Sequence, residues 1–92
     1  MIPGKLNDQY LDTVALRIGA AILDFCWARI GGEFHADDLR RHVTSSIGVC
    51  APGSADRVLR DLRQRGAINY ICIRRSASLY RILSVNPAFD LV

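Results

Sequence analysis

The stretch from Pro52 to Gly66 constrains this chain more than any other. Ala55, Val58, Leu59 and Leu62 fall at i, i+3, i+4 and i+7, the spacing of one apolar stripe along an α-helix. Pro52 suits a first-turn position, Ser54 lies where a cap or first-turn hydroxyl belongs, and Gly66 supplies the stop. Together they predict a helix over residues 52–65. At about 100° per residue, Gly53, Arg57, Arg60 and Gln64 lie opposite the stripe, with Ser54 and Asp61 flanking them. A helix this short is marginal alone, so the rest of the chain must cover its apolar side.

From Ala67 onward the periodicity changes. Ile68 to Ile73 is rich in strand-forming residues, and Leu79 to Val85 reads as a second strand. Arg74-Arg75-Ser76-Ala77-Ser78 between them is a polar, basic hairpin tip, which puts a β-hairpin over residues 67–85. Upstream, a first helix is expected over residues 8–30, capped by Asn7 or Asp8 and ended by Gly31-Gly32. Leu11, Val14, Ala15, Ile18, Ile22 and Phe25 make one apolar face of it. Leu16, Ala20, Leu23, Trp27 and Ile30 make a second stripe, about a third of a turn away. One stripe is enough for a surface helix, so with this surplus the helix is either central to the core or buries a face against a partner chain, and a homodimer interface at Leu16, Ala20, Leu23 and Trp27 is the favoured reading. Glu33-Phe34-His35 reads as a short extended segment, a candidate third strand. A second helix is expected over residues 36–44, with Asp37 and Asp38 in its first turn and Arg40, Arg41 and His42 towards its end, matching the helix dipole. Residues 45–51 read as a turn.

Ninety-two residues make a single domain, 1–92, and a hydrophobic content of 50% argues for a packed core. The fold class is therefore mainly α with a β-hairpin. The net charge of +3 is unevenly spread. Residues 1–50 carry a net −1, whereas in residues 51–92 seven arginines outweigh three aspartates. Arginine forks onto phosphates and guanine edges, where lysine acts as a point charge. Arg17, Asp24 and Arg29 interrupt the most apolar stretch, so no run reaches membrane-spanning length. The N-terminus lacks the pattern of a secretion signal, and a cytoplasmic protein is expected. Cys26, Cys50 and Cys72 are odd in number and form no Cys-x-x-Cys pair, which fits neither a disulfide framework nor a metal site.

Three helices followed by a β-hairpin, with a short turn between helices two and three, is the order of a winged helix-turn-helix domain. The resemblance extends to particular segments. Phe34 followed by Ala36-Asp37-Asp38-Leu39 resembles the entry to helix two of such domains, although His35 stands where Ser or Thr is common. The run Ser54 to Ile68 is similar to their recognition helix leading into the wing, and Ser78-Leu79-Tyr80-Arg81-Ile82 to the returning wing strand. The resemblance covers residues 34–83. It implies a third helix in the major groove of double-stranded DNA and a wing on the flanking backbone or minor groove. On this chain it assigns Gly53, Ser54, Arg57, Arg60 and Gln64 to the groove and Arg74 and Arg75 to the wing contact. Arg40, Arg41, Thr44 and Ser45 would add backbone contacts, and Asp61 would sit at the margin or pair with Arg57 or Arg65. A small stand-alone transcriptional regulator is the expected role.

The residue chemistry agrees in kind, since Arg pairs bidentately with guanine and Gln with adenine. A solvated helix face has the same composition, however, and winged helices also dock proteins. The alternative is therefore an interaction module, or a subunit of a larger assembly, that works through helix one and the tail carrying Phe89 and Leu91. Catalysis, cofactors and metals are not expected. There is no glycine-rich phosphate loop, no histidine pair at helical spacing and no activated nucleophile, and adjacent Asp37 and Asp38 point to different sides of a helix.

Overall fold

A computed structural model describes residues 3–51 and 53–89, with side chains from Val14 onward. Three helices, α1 (Pro3–Trp27), α2 (Ala36–Ile47) and α3 (Ser54–Gln64), pack with strands β1 (Glu33–His35), β2 (Ile68–Arg74) and β3 (Leu79–Val85). The strands form one antiparallel sheet in the order β1-β3-β2. This is winged-helix topology: the β2–β3 hairpin is the wing, and β1, inserted between α1 and α2, pairs with its returning strand.

The core forms where every element turns its apolar side inward. Ile18, Ile22 and Phe25 of α1 meet Leu39 and Val43 of α2, Leu59 and Leu62 of α3, and Ile68, Tyr70 and Ile82 of the sheet. Phe25 packs edge-to-face on Phe34 of β1, with ring centres 5.3 Å apart, and Phe34 stacks on Tyr80 of β3. No charged side chain is buried among the described residues.

The α1 helix differs from the expected 8–30 at both ends. It begins at Pro3, a residue suited to a first turn because it has no N–H to leave unpaired. The caps proposed at Asn7 and Asp8 therefore fall inside the helix. At the other end regular helix stops at Trp27, and residues 28–31 form a turn. Gly31, at φ +82°, donates to the Ile82 carbonyl, and Ile82 donates back to Gly32. The chain thus joins the sheet edge two residues before β1 begins.

The α2 helix runs three residues past the expected Thr44. Ile47 extends the Ala36–Leu39–Val43 stripe and packs on the core, which outweighs the turn-like composition of Ser45 and Ser46. At its start the His35 N–H donates to the Asp38 carboxylate, closing half of a capping box at a position where no Ser or Thr stands. The hydrogen bond from His35, reinforced by Arg41, holds the Asp38 carboxyl below its usual range.

The α3 helix is shorter at both ends than residues 52–65. Gly53, in the left-handed region at φ +80°, precedes its first residue. Pro52 lies outside the described residues. The C-terminus closes as the sequence predicts: Ala67 donates to the Leu62 carbonyl and Gly66 to the Arg63 carbonyl, the two bonds of a Schellman motif with Gly66 at φ +83°.

The hairpin contains two irregularities. Tyr70 pairs with Ile82 while Asn69 pairs with Ser84, leaving Leu83 as an extra residue. That bulge lets Ile82 and Val85 both face the core although they are three apart. A second shift leaves Ile73 unpaired between Cys72 and Arg74. Replacing the side chain that α3 buries deepest provides a direct check. Leu62 is 1% exposed, so Leu62→Ala should lower unfolding stability by about 2–5 kcal/mol in a denaturant titration. Val49→Ala, at a residue 91% exposed, should change it by less than about 0.5 kcal/mol.

Candidate nucleic-acid interface

The outer side of α3 carries the residues expected at a DNA groove. Gly53, Arg57, Arg60 and Gln64 are all exposed, and Ser54 is half-buried at the helix start. The helix is held against α2 by a polar strut. Arg40 donates to Asp37 on its own helix and to Asp56 of α3, the latter at 2.8 Å. The Asp56 carboxylate raises the Arg40 guanidinium pKa still further. Arg41 is likewise paired with Asp38 at 2.7 Å. Both arginines expected to contact the DNA backbone from α2 therefore have their charge matched within the domain. Thr44 and Ser45 are exposed and lie within α2, not in the turn that follows it.

The remaining arginines divide in a way that sequence alone does not show. Arg65 pairs with Asp61 at 3.4 Å, one of the two partners expected for that aspartate, and Arg81 pairs with Glu33 across β1 and β3 at 2.7 Å. Arg63 lies over the Tyr70 ring and Arg29 over Phe25. Among the described residues, no carboxylate lies within ion-pair distance of Arg57, Arg60, Arg74 or Arg75. On α3 and the wing, the arginines without a carboxylate partner among the described residues are thus the four assigned to DNA contact and Arg63, whose guanidinium lies over Tyr70.

The wing tip is tied to the start of α2. A short 3₁₀ turn, Arg75–Ala77, carries the chain over, and Ser78 sits at φ +49°. Ala36 donates to the Ser78 carbonyl at 3.0 Å, and His35 Nδ1 lies 3.2 Å from the Ala77 carbonyl. His35 is exposed, and its ring links α2 to the wing. Nothing in its sequence neighbourhood signals that link, because the contact spans 42 residues. Between wing and helices lies an open cleft of about 300 Å³, lined by Arg40, Asp56, Leu59, Arg60, Tyr70 and Tyr80. Burial pushes the Tyr70 hydroxyl pKa upward.

The other expected surfaces fare differently. Leu16, Ala20, Trp27 and Ile30 are exposed, and Leu23 is half-buried against the core. Phe89 turns inward, half-buried on the core with Arg65 over its ring, so it offers little docking surface; Leu91 lies outside the described residues. His42 lies in the middle of α2, not at a helix end. Its ring packs on Phe25, its Nε2 is buried without a hydrogen-bond partner among the described residues, and Asp24 is 3.7 Å away. Among the described residues, no group of three His, Cys, Asp or Glu side chains is placed to hold a metal ion, and no helix is long and apolar enough to cross a membrane.

No known family model, characterised protein or solved structure matches this chain.

The three cysteines are free and differ sharply in environment. Cys26 is buried, which pushes its thiol up to about 12 against a smaller opposing effect of Arg29, whereas Cys72 is exposed. A thiol reagent applied to the native protein at neutral pH should modify Cys72 first and reach Cys26 only on unfolding. Rapid native labelling of Cys26 would contradict the packing of α1 described above.

Proposed function

We propose that this chain is a winged helix-turn-helix DNA-binding protein, a small cytoplasmic transcriptional regulator that acts by binding and not by catalysis. In this reading α3 enters the major groove, with Arg57, Arg60 and Gln64 facing base edges and Gly53 and Ser54 near phosphate. Arg74 and Arg75 of the wing reach the flanking backbone or minor groove. One observation carries it: the arginines on the outer side of α3 and at the wing tip lack carboxylate partners among the described residues, while Arg40, Arg41, Arg65 and Arg81 have them. An arginine already paired gains less from a phosphate than an unpaired one, because it must give up its carboxylate first. A fixed pair of basic elements, helix and wing, matches the electrostatic footprint of a duplex binder. The paired Arg40 and Arg41 are assigned a positioning role, with Arg40 orienting α3 through Asp56.

The exposed apolar residues of α1 favour a second reading, a protein-interaction module that does not touch DNA. The two readings separate in one experiment. A mobility-shift titration with a random-sequence duplex at low salt should show binding, and Arg57→Ala combined with Arg60→Ala should weaken it at least tenfold, since each lost base or phosphate contact costs about 1–3 kcal/mol. Both side chains are exposed, so circular dichroism should be unchanged. Absence of any shift for the parent would favour the interaction module. Full binding by the double variant would place the DNA on another face.

A further inference from the structure

The exposed side of α1 has a pattern more specific than a surplus of apolar residues. Leu16, Ala20, Leu23 and Trp27 are spaced four, three and four apart, the a/d spacing of a coiled coil, and Ile30 follows three residues on in the turn after the helix. The opposite side of the helix faces the core through Ile18, Ile22 and Phe25. Leu16, Trp27 and Ile30 remain 39%, 49% and 47% exposed. An a/d seam on an otherwise satisfied helix suits another helix.

The residues beside the seam identify which one. With Ala20 and Trp27 as a positions, Arg17 and Asp24 both fall at e, and Gly19 and Cys26 fall at g. Arg17 is exposed, and Asp24 keeps 81% of its side chain in solvent despite His42 at 3.7 Å. Gly19 and Cys26 are buried. In a parallel pair each e position meets the g position five residues before it: by register Arg17 would lie beside Asp12, but Asp24 would lie beside Gly19, and the core layers would set Trp27 against Trp27 and Ala20 against Ala20. In an antiparallel pair e meets e, and Arg17 of one copy lies beside Asp24 of the other.

We propose that the chain forms an antiparallel homodimer through α1, with Leu16 of one copy level with Trp27 of the other and Ala20 level with Leu23. The register that aligns these layers also aligns the charges, twice over by symmetry. Small Ala20 opposite Leu23 and Leu16 opposite Trp27 give layers of complementary size, which suits close approach at the centre of the crossing. The proposal is independent of the DNA reading. An interface of this kind would still form if α3 touched no nucleic acid.

A charge swap tests it. Sedimentation of the full chain at tens of micromolar should give a dimer. Arg17→Asp, and separately Asp24→Arg, places like charges together at both symmetric sites and should weaken dimerisation about tenfold. The double swap, Arg17→Asp with Asp24→Arg, restores opposite charges and should recover the parent dimer constant within about threefold. Both positions are exposed, and circular dichroism confirms that each of the three variants is folded. A parent chain that is monomeric throughout this range overturns the proposal, and the surface would then belong to a different partner. A dimer indifferent to both single changes, or not rescued by the double swap, overturns the antiparallel register and transfers the interface elsewhere, such as to the β2 edge.

Discussion

Phe25 is the point on which the domain is assembled. It is held between Phe34 of β1 and His42 of α2, both ring centres at 5.3 Å, on a helix whose neighbouring turns also contact α3 and β3. Close packing of this kind transmits position, because an aromatic ring surrounded on several sides leaves little room for its neighbours to slide. Phe34 in turn stacks on Tyr80, and Tyr80 meets Tyr70 edge-on. A chain of aromatic contacts therefore runs from α1 through β1 into the wing. The wing of so short a protein is placed by this ladder and by the hydrogen bonds of His35 and Ala36 at its tip.

Much of this architecture is legible in the sequence, and the reasons are local. The Ala55–Val58–Leu59–Leu62 stripe, the Gly66 stop and the change of period at Ala67 each reflect physics acting over a few residues, and each reappears in the structure. The boundaries that differ are those where distant contacts override local preference. Ser45 and Ser46 read as turn residues, but Ile47 gains enough by packing on the core to hold the helix through them. The first helix stops at Trp27, short of Gly31 and Gly32, and the turn over residues 28–31 lets Gly31 pair with Ile82. The two bulges, at Leu83 and Ile73, leave no signature in an alternation of apolar residues.

The candidate interface was legible only in part. Which residues lie on the outer side of α3 follows from helical geometry alone. Which arginines remain unmatched does not, because Arg40 finds Asp56 sixteen residues away and Arg81 finds Glu33 across the sheet. The sequence reading assigns Arg57 and Arg60 to the groove and Arg40 and Arg41 to the backbone, but only the structure shows that the latter two are ion-paired while the former two have no carboxylate partner among the described residues. The same arrangement divides the molecule by chemistry. The outer side of α3 and the wing tip carry Arg57, Arg60, Arg74 and Arg75 without carboxylate partners among the described residues, while the outer side of α1 presents an apolar seam with one charge of each sign. The domain thus has one surface suited to a polyanion and another suited to a helix like its own.

The most direct test of the central claim is a two-dimensional amide NMR titration of the labelled protein with a short DNA duplex. The account predicts that the largest shifts cluster at residues 53–64 of α3 and 74–78 of the wing tip, with α1 little affected. Shifts concentrated on the outer side of α1, with α3 and the wing tip unmoved, would contradict it.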